Sequence, residues 1–159
     1  MIFLLGFIVG GVLVFACVCN VAKQIPSPKL KDKRLEERHR IIEKYFLCWL
    51  RDKSLAEYLK SKDVERIIIY GASDLGKAVN KSCLSVVKCI CYMDRDKAKK
   101  ECMGIKVIHS MSPIPEADLI IITAFDPYRE IMQTLEQRTS VKIMYLEDII
   151  DEMFMGRDK

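Results

Sequence analysis

The chain has 159 residues, half of them hydrophobic, and a formal net charge of +4 from 26 basic and 22 acidic side chains. The excess positive charge lies between Lys23 and Lys44, so the neutral remainder excludes a nucleic-acid-binding domain with a basic face as the leading interpretation. Two full soluble domains are excluded because only about 110 residues follow the N-terminal elements, and the seven cysteines lack the paired C-x-x-C spacing of a zinc module or disulfide scaffold.

The N-terminal segment carries no charged side chain before Lys23. As a helix, Ile2 to Ala22 would be roughly 31 Å long, enough to cross a bilayer core. A cleaved secretory or lipoprotein signal is the alternative, but such signals need a basic start and a shorter apolar stretch. Gly6 and Gly10 form a G-x-x-x-G that would allow two such helices to approach closely. We expect an uncleaved transmembrane helix over residues 1–22, with the lipid bilayer as a partner.

The orientation of this helix follows from its flanks. The basic residues cluster on its C-terminal side, which the positive-inside rule places in the cytoplasm. The sequence therefore predicts a single-pass protein of the cell membrane with its N-terminus outside and its C-terminal domain cytoplasmic.

Residues 23–62 are predicted to form a basic linker with amphipathic helices. Ile25-Pro26-Ser27-Pro28 interrupts helical structure because prolines do not fit a helix interior. Apolar residues then recur at helical spacing between charged ones, at Leu35, Ile41, Ile42, Tyr45, Phe46, Trp49 and Leu50. This linker helix is expected to pack on the soluble domain, on a partner enzyme or on a second copy in a homodimer. Ser54 and Glu57 match a capping box that opens a short helix to about Lys62.

Residues 63–159 alternate apolar runs with helical segments. The predicted strands are Arg66–Tyr70, Val86–Met93, Ile105–Ile108, Leu119–Thr123 and Lys142–Leu146. The predicted helices are Leu75–Leu84, a helix that Asp126 caps and that ends near Arg138, and a C-terminal helical turn. This alternation predicts the α/β class, with a Rossmann-like, mostly parallel five-stranded sheet behind the transmembrane helix and the linker helix.

The motif with chemical content is Gly71-Ala72-Ser73-Asp74-Leu75-Gly76, between the first strand and the helix that follows it. In a dinucleotide-binding turn, the first glycine makes the bend, the second admits the pyrophosphate and the third lets helix and strand pack closely. Asp94 follows the second strand, where a carboxylate would hold a ribose hydroxyl. Thr123, at the carboxyl end of the fourth strand, would line the ligand crevice.

Two residues depart from this pattern. Ser73 replaces the second glycine and narrows the phosphate approach, although its hydroxyl could donate to a phosphate oxygen. Asp74 places a negative charge at a helix N-terminus, where an anion would bind. The alternative is a structural turn without a ligand.

Other chemical sites find little support in the sequence. Lys77 extends the glycine loop toward a P-loop motif, but Ala78 stands where the magnesium-binding hydroxyl is needed. Cys89 and Cys91 are expected to be buried apolar residues, and no metal site is predicted. No catalytic constellation is visible, so the pattern leaves open whether the protein is an enzyme.

The stretch from Leu55 through Ile149 resembles a family of Rossmann-like domains linked to bacterial surface polysaccharide biosynthesis. The resemblance rests on Leu55–Leu59, Arg66–Lys77, Asp94, Gly104–Ile108 and Leu146–Ile150. The chain looks like the N-terminal domains of nucleotide-sugar epimerases, dehydratases and sugar acyltransferases. The resemblance implies binding of NAD(P) or a nucleotide-sugar at Gly71, Ser73, Gly76 and Asp94, and it carries over no catalytic domain.

Three functions compete at this point. The first is a membrane-anchored cytoplasmic domain that binds a nucleotide, NAD(P) or a nucleotide-sugar and is accessory or regulatory in envelope or polysaccharide metabolism. The second is a small NAD(P)-dependent oxidoreductase or epimerase-like enzyme that a partner chain completes. The third is a structural, membrane-tethered interaction module with a vestigial glycine loop.

Overall fold

The computed structural model describes residues 28–51, 53–125 and 127–155, with side chains from residue 35 onward. The chain divides into two units, residues 1–36 and 37–159, and the second holds the sheet and the site described below. The transmembrane helix predicted at residues 1–22 lies outside the described residues. Within the described ranges, no helix is both long enough and apolar enough to cross a membrane.

Helices and strands alternate along most of the described chain. The helices are α1 (Pro28–Leu50), α2 (Leu55–Ser61), α3 (Asp74–Cys83), α4 (Tyr128–Glu136) and α5 (Leu146–Met155). The strands are β1 (Arg66–Tyr70), β2 (Lys88–Asp94), β3 (Glu101–Cys102), β4 (Ile105–His109), β5 (Leu119–Ile122) and β6 (Lys142–Tyr145).

The strands form one mostly parallel sheet in the order β3-β4-β2-β1-β5-β6, which confirms the α/β class. β1 lies in the middle and runs parallel to both β2 and β5. After β1, the chain places β2 and then β4 on one side of β1, and it places β5 and then β6 on the other side. The strand order therefore reverses beside β1. In open α/β sheets, ligands bind in the crevice at the carboxyl ends of the strands at such a point.

Two inner strands of the sheet, β1 and β5, are buried along almost their whole length. The side chains of Ile67, Ile68 and Ile69 in β1 have no exposed surface, and those of β5 are equally enclosed. The connections through α3 and α4 leave the centre in opposite directions, so right-handed crossovers place these helices on opposite faces of the sheet. A strand covered on both faces is an unbroken apolar run, which explains why β1 and β5 stand out in the sequence.

The prediction of five strands was wrong, because β3 adds a sixth. β3 is a two-residue strand that pairs antiparallel with β4, with Cys102 opposite Ile105. Met103 and Gly104 between them both have positive φ, at 53° and 73°. Positive φ at both central residues is the geometry of a two-residue type I′ hairpin, which usually has Asn-Gly or Asp-Gly at these positions. Met-Gly inside a lysine-rich stretch gave no such signal.

α1 begins at Pro28, the helix position where proline is best tolerated, so the predicted proline break coincides with the start of the helix. Ile41 and Cys48 on its inner face are buried in the core. Lys44 lies beside them, and its Nζ is 2.9 Å from a Glu147 carboxylate oxygen and 2.7 Å from one of Asp151, both in α5. These contacts hold the C-terminal half of α1 on the domain, as predicted for the linker helix.

α2 begins as the capping box predicts. The Ser54 hydroxyl accepts a hydrogen bond from the Glu57 backbone N–H at 3.4 Å. Leu55 and Leu59 then bury their side chains in the core, and the Tyr58 hydroxyl donates to the Glu152 carboxylate in α5 at 2.5 Å. The helix ends at Ser61, one residue before the expected end.

Candidate functional site

The predicted site residues converge at the carboxyl edge of the sheet. Residues 71–73 connect β1 to α3, Asp94 ends β2, and Thr123 directly follows β5. These three strands are neighbours in the sheet, with β1 between the other two. The glycine loop and both outlying residues therefore lie together at the point where the strand order reverses.

Gly71 makes the bend out of β1 in a conformation that favours glycine. Its φ is +114°, and a Cβ atom at this position would lie 2.7 Å from the Thr123 Oγ1. The Gly71 N–H donates to the Met93 carbonyl of β2 at 2.8 Å. Any side chain here would strain the backbone and collide with Thr123, directly after β5, so the first glycine has the role expected of it.

Gly76 lies in the first turn of α3 and allows that helix to pack closely on the loop. A Cβ atom at Gly76 would be 2.1 Å from the Gly71 carbonyl oxygen and 3.3 Å from the Ile69 side chain. A contact of 2.1 Å with a backbone carbonyl could be relieved only by moving the loop or the helix. The predicted role of the third glycine, close packing of helix and strand, matches this geometry.

Ser73 and Asp74 form the start of α3. Ser73 is the N-cap residue, with extended backbone and a side chain that makes no capping hydrogen bond. Asp74, the first helical residue, is largely exposed, and the Lys77 ammonium lies 3.1 Å from its carboxylate and donates to it. This contact raises the pKa of Lys77. The Asp74 charge is therefore partly offset on the helix surface, while the Ser73 hydroxyl stays at the helix N-terminus, where anions are favoured.

Asp94 holds the glycine loop through its carboxylate. One oxygen, Oδ2, accepts from the Ala72 backbone N–H at 2.9 Å and from the Lys99 ammonium at 2.9 Å. The other, Oδ1, accepts from the Asp96 backbone N–H at 2.9 Å. A carboxylate offers about four lone-pair sites, so these three bonds leave room for about one more donor, such as a ribose hydroxyl.

The charge state of Asp94 follows from these contacts. Burial disfavours the carboxylate and by itself would raise the pKa of Asp94. The hydrogen bonds from Asp96, Lys99 and Ala72 favour the charged form more strongly and hold the pKa of Asp94 below its ordinary value. Asp94 is therefore an ionised anchor at neutral pH.

Lys99 is a site residue that sequence reasoning missed. Its ammonium donates both to Asp94 and to the Ala72 carbonyl oxygen, the latter at 3.2 Å, and so bridges β2 to the glycine loop. Lys97, Lys99 and Lys100 also line a cavity of about 280 Å³ with His109. The only sequence signal was the run of charges after Asp94, which is equally typical of a solvated loop.

Thr123 and Leu75 support the loop from behind. Thr123 is almost fully buried, and its hydroxyl donates to the Tyr70 carbonyl at 3.0 Å and approaches the Gly71 carbonyl at 3.3 Å. Leu75 packs, partly buried, against the core. Both therefore support the backbone of the glycine loop, and the role of Thr123 in lining a ligand crevice stays a prediction.

A second, smaller cavity of about 180 Å³ lies between β1 and α4, lined by Tyr70, Arg95 and Arg138 among others. Arg138 holds its rim together by donating to the carbonyl oxygens of Ser110 and Ser112 at 2.5 and 2.6 Å. The guanidinium of Arg138 is therefore already used to fix the loop after β4.

The described residues contain no group of three side chains suited to hold a metal ion. The five cysteines in this part of the chain are free and buried. Burial raises the pKa of Cys83 and of Cys89 to about 12 each, so both thiols are protonated at neutral pH and are poor nucleophiles. The expectation that Cys89 and Cys91 are buried is confirmed.

Comparisons of the chain with protein-family models, with curated proteins and with solved structures find no match.

Proposed function

We propose that this protein is a membrane-anchored, Rossmann-like domain on the cytoplasmic side that binds NAD(P) or a nucleotide-sugar at the loop between β1 and α3. The observation that carries the proposal is the packing of Gly76 against the Gly71 carbonyl beneath the first turn of α3. That packing brings the helix N-terminus to the carboxyl edge of the sheet, where the strand order reverses. Backbone N–H groups at such a position favour a phosphate.

The polar groups around the loop suggest how the ligand lies. The phosphates would approach the N-terminus of α3 at Ser73, whose exposed hydroxyl makes no capping bond. The ribose would lie toward Asp94 and use the acceptor site left on its carboxylate. The Lys99 ammonium, which already bridges Asp94 and the Ala72 carbonyl, would meet the negative charge of the ligand.

The proposed role is accessory or regulatory in envelope or polysaccharide metabolism, and it rests on the sequence resemblance. The titratable groups Asp94 and Lys99 at the loop are engaged in holding its structure. An oxidoreductase or epimerase-like enzyme completed by a partner chain is the alternative. Turnover that appears only when such a partner is added would favour the enzyme.

The test is thermal unfolding of the full chain in detergent against NAD, NADP, UDP-sugars, ATP and coenzyme A. A ligand at about 100 times its dissociation constant adds roughly 2.7 kcal/mol, which raises the midpoint by on the order of 10 °C in a domain of this size. We expect one ligand class to produce this shift. Absence of a shift with every ligand, in a sample that unfolds cooperatively, would contradict the proposal.

A pair of variants assigns the shift to the loop. Ser73→Glu places a carboxylate where the phosphate would lie, so the ligand-induced shift should disappear while the midpoint without ligand changes little. Ser85→Glu is the matched control, because Ser85 is also exposed but lies beyond the other end of α3. An unchanged shift in Ser73→Glu would place the ligand elsewhere.

One observation favours the third function, an interaction module. The outer face of α1 exposes Phe46, Trp49 and Leu50, each by more than half of its surface. A contiguous apolar patch of this kind is typical of a protein interface. Interaction through α1 is compatible with ligand binding at the loop, because the two surfaces share no residue.

A further inference from the structure

α1 is apolar on two faces. Its inner face buries Ile41 and Cys48 in the core of the domain. Its outer face leaves Ile42, Phe46 and Trp49 exposed by 43%, 54% and 70%. A helix that only covered its own domain would have a polar outer face. The second apolar face of α1 therefore indicates an interaction surface.

The outer face has coiled-coil spacing. Ile42, Phe46 and Trp49 follow one another at intervals of four and three residues. This spacing places Ile42 at a d position, Phe46 at an a position and Trp49 at the next d position of a heptad repeat. His39 occupies the preceding a position and Leu35 the d position before it, and both are exposed. The pattern covers two heptads, and the inner-face residue Ile41 falls outside this seam.

The apolar seam borders a groove. The rings of Phe46 and Trp49 are stacked with centroids 5.8 Å apart, so the seam presents an ordered aromatic surface. The groove beside them has a volume of about 930 Å³ and is closed on its far side by Ala78 and Ser82 of α3 and by residues at the start of α2. A helix laid along α1 would have both an apolar seam and a groove to enter.

The charges that flank the seam suit a second copy of α1 in parallel orientation. Arg38 is at a g position and Glu43 at the following e position, five residues later. In a parallel coiled coil, each g residue faces the e residue five positions further along the partner, so Arg38 of each copy would meet Glu43 of the other. Neither residue has an ion-pair partner within the described part of the chain. An antiparallel pair would instead bring the e residues Glu36 and Glu43 toward each other.

An anionic membrane surface is a poorer occupant of this face. Glu43 flanks the apolar seam, and the adjoining groove is lined by Glu57 as well as by Lys53 and Lys81. The rim of this face therefore carries both signs of charge, whereas helices that bind anionic head groups carry a predominantly basic rim.

We infer that the outer face of α1 is a homodimer interface in which two copies of the chain pair as a short parallel coiled coil through Ile42, Phe46 and Trp49. The inference does not depend on the nucleotide site. Parallel pairing places both N-termini at the same end of the dimer, which also suits two chains anchored in one membrane.

Charge reversal tests the pairing and its orientation in the full chain, with protein mass in detergent as the readout. The wild type should have the mass of two chains. Arg38→Glu and Glu43→Arg should each fall to the mass of one chain, a twofold loss, because each places like charges together. A mixture of the two single variants should return to the mass of two chains, because every pair in the mixed dimer is then complementary. The double variant should do the same.

The controls separate this interface from other causes. Arg38 and Glu43 are exposed, so circular dichroism of the variants should match the wild type. Glu136→Arg, the same reversal on the exposed surface of α4, should remain a dimer. A monomeric wild type would overturn the inference. So would single variants that remain dimers, which would place the association elsewhere, including the G-x-x-x-G of the N-terminal segment.

Discussion

Replacing Asp94 by asparagine tests how much the ionised carboxylate contributes to holding the glycine loop. The change keeps the size of the side chain but removes the charge that accepts bonds from Ala72, Asp96 and Lys99, each at 2.9 Å. A hydrogen bond to a charged group contributes about 1.5–3 kcal/mol. The Lys99 contact contributes at most about 1 kcal/mol, because its side chain is 38% exposed and screened by solvent.

We therefore expect Asp94→Asn to lower the free energy of unfolding by about 2–3 kcal/mol at neutral pH. In a domain of this size, that loss corresponds to a fall of roughly 8–12 °C in the unfolding midpoint. Urea denaturation of the full chain in detergent, followed by near-ultraviolet circular dichroism, measures the difference. Asp74→Asn is the control, since Asp74 is 83% exposed and, among the described residues, pairs with Lys77 on the helix surface. The control should unfold within about 0.5 kcal/mol of the wild type.

The difference in stability between the wild type and Asp94→Asn should also depend on pH. The pKa of Asp94 is lower in the folded chain than its value of 3.8 when unfolded, so the carboxylate contributes stability above that value. This contribution is lost as the pH falls through the folded pKa. The difference between wild type and Asp94→Asn should be constant from pH 7 to about pH 5 and shrink below about pH 4. A variant as stable as the wild type at pH 7 would refute the role of Asp94 as an anchor.

Two further predictions concern packing and an ion-pair cluster. Gly76→Ala should lower the free energy of unfolding by at least about 3 kcal/mol, because its Cβ would lie 2.1 Å from the Gly71 carbonyl oxygen. Gly104→Ala is the control: it has open space around it and should lose only about 1–2 kcal/mol, the cost of its left-handed backbone. Equal losses for the two variants in urea denaturation would contradict the packing argument. Glu147→Gln should lose about 1 kcal/mol, since it removes the negative charge that pairs with Arg40 and Lys44. Burial by itself raises the pKa of Glu147, but these two cations lower it overall. The Glu147 carboxylate therefore contributes stability above its unfolded pKa of 4.5, and this contribution should disappear as acid is added. A stability difference between wild type and Glu147→Gln that persists in acid would argue against the ion pairs.

The elements that sequence reasoning predicted well are those whose signal is local. β1 contains three consecutive isoleucines and β5 is one leucine followed by three isoleucines, and both are inner strands of the sheet, where both faces are covered. Ser54 caps α2 through a contact only three residues away. The glycine loop was likewise identifiable, because Gly71 and Gly76 are required by backbone geometry that the strand–turn–helix pattern already implies.

The features that sequence reasoning missed depend on contacts between distant segments or on an unusual turn. Lys99 is one lysine among several after Asp94, and only the folded chain brings it to the Ala72 carbonyl. β3 was missed because its hairpin turn is Met-Gly. The seam on α1 was predicted as one amphipathic face, whereas the structure separates an inner face at Ile41 from an outer face at Trp49.

The most direct test of a nucleotide site at the glycine loop is photo-crosslinking of the full chain with azido derivatives of NAD and of a UDP-sugar, followed by mass spectrometry of the labelled peptides. We predict labelling within residues 71–77 or 95–100 that the unmodified nucleotide competes away and that is lost in Ser73→Glu. Labelling that is not competed, or that maps away from the edge of the sheet where β1, β2 and β5 end, would contradict a nucleotide site at the glycine loop.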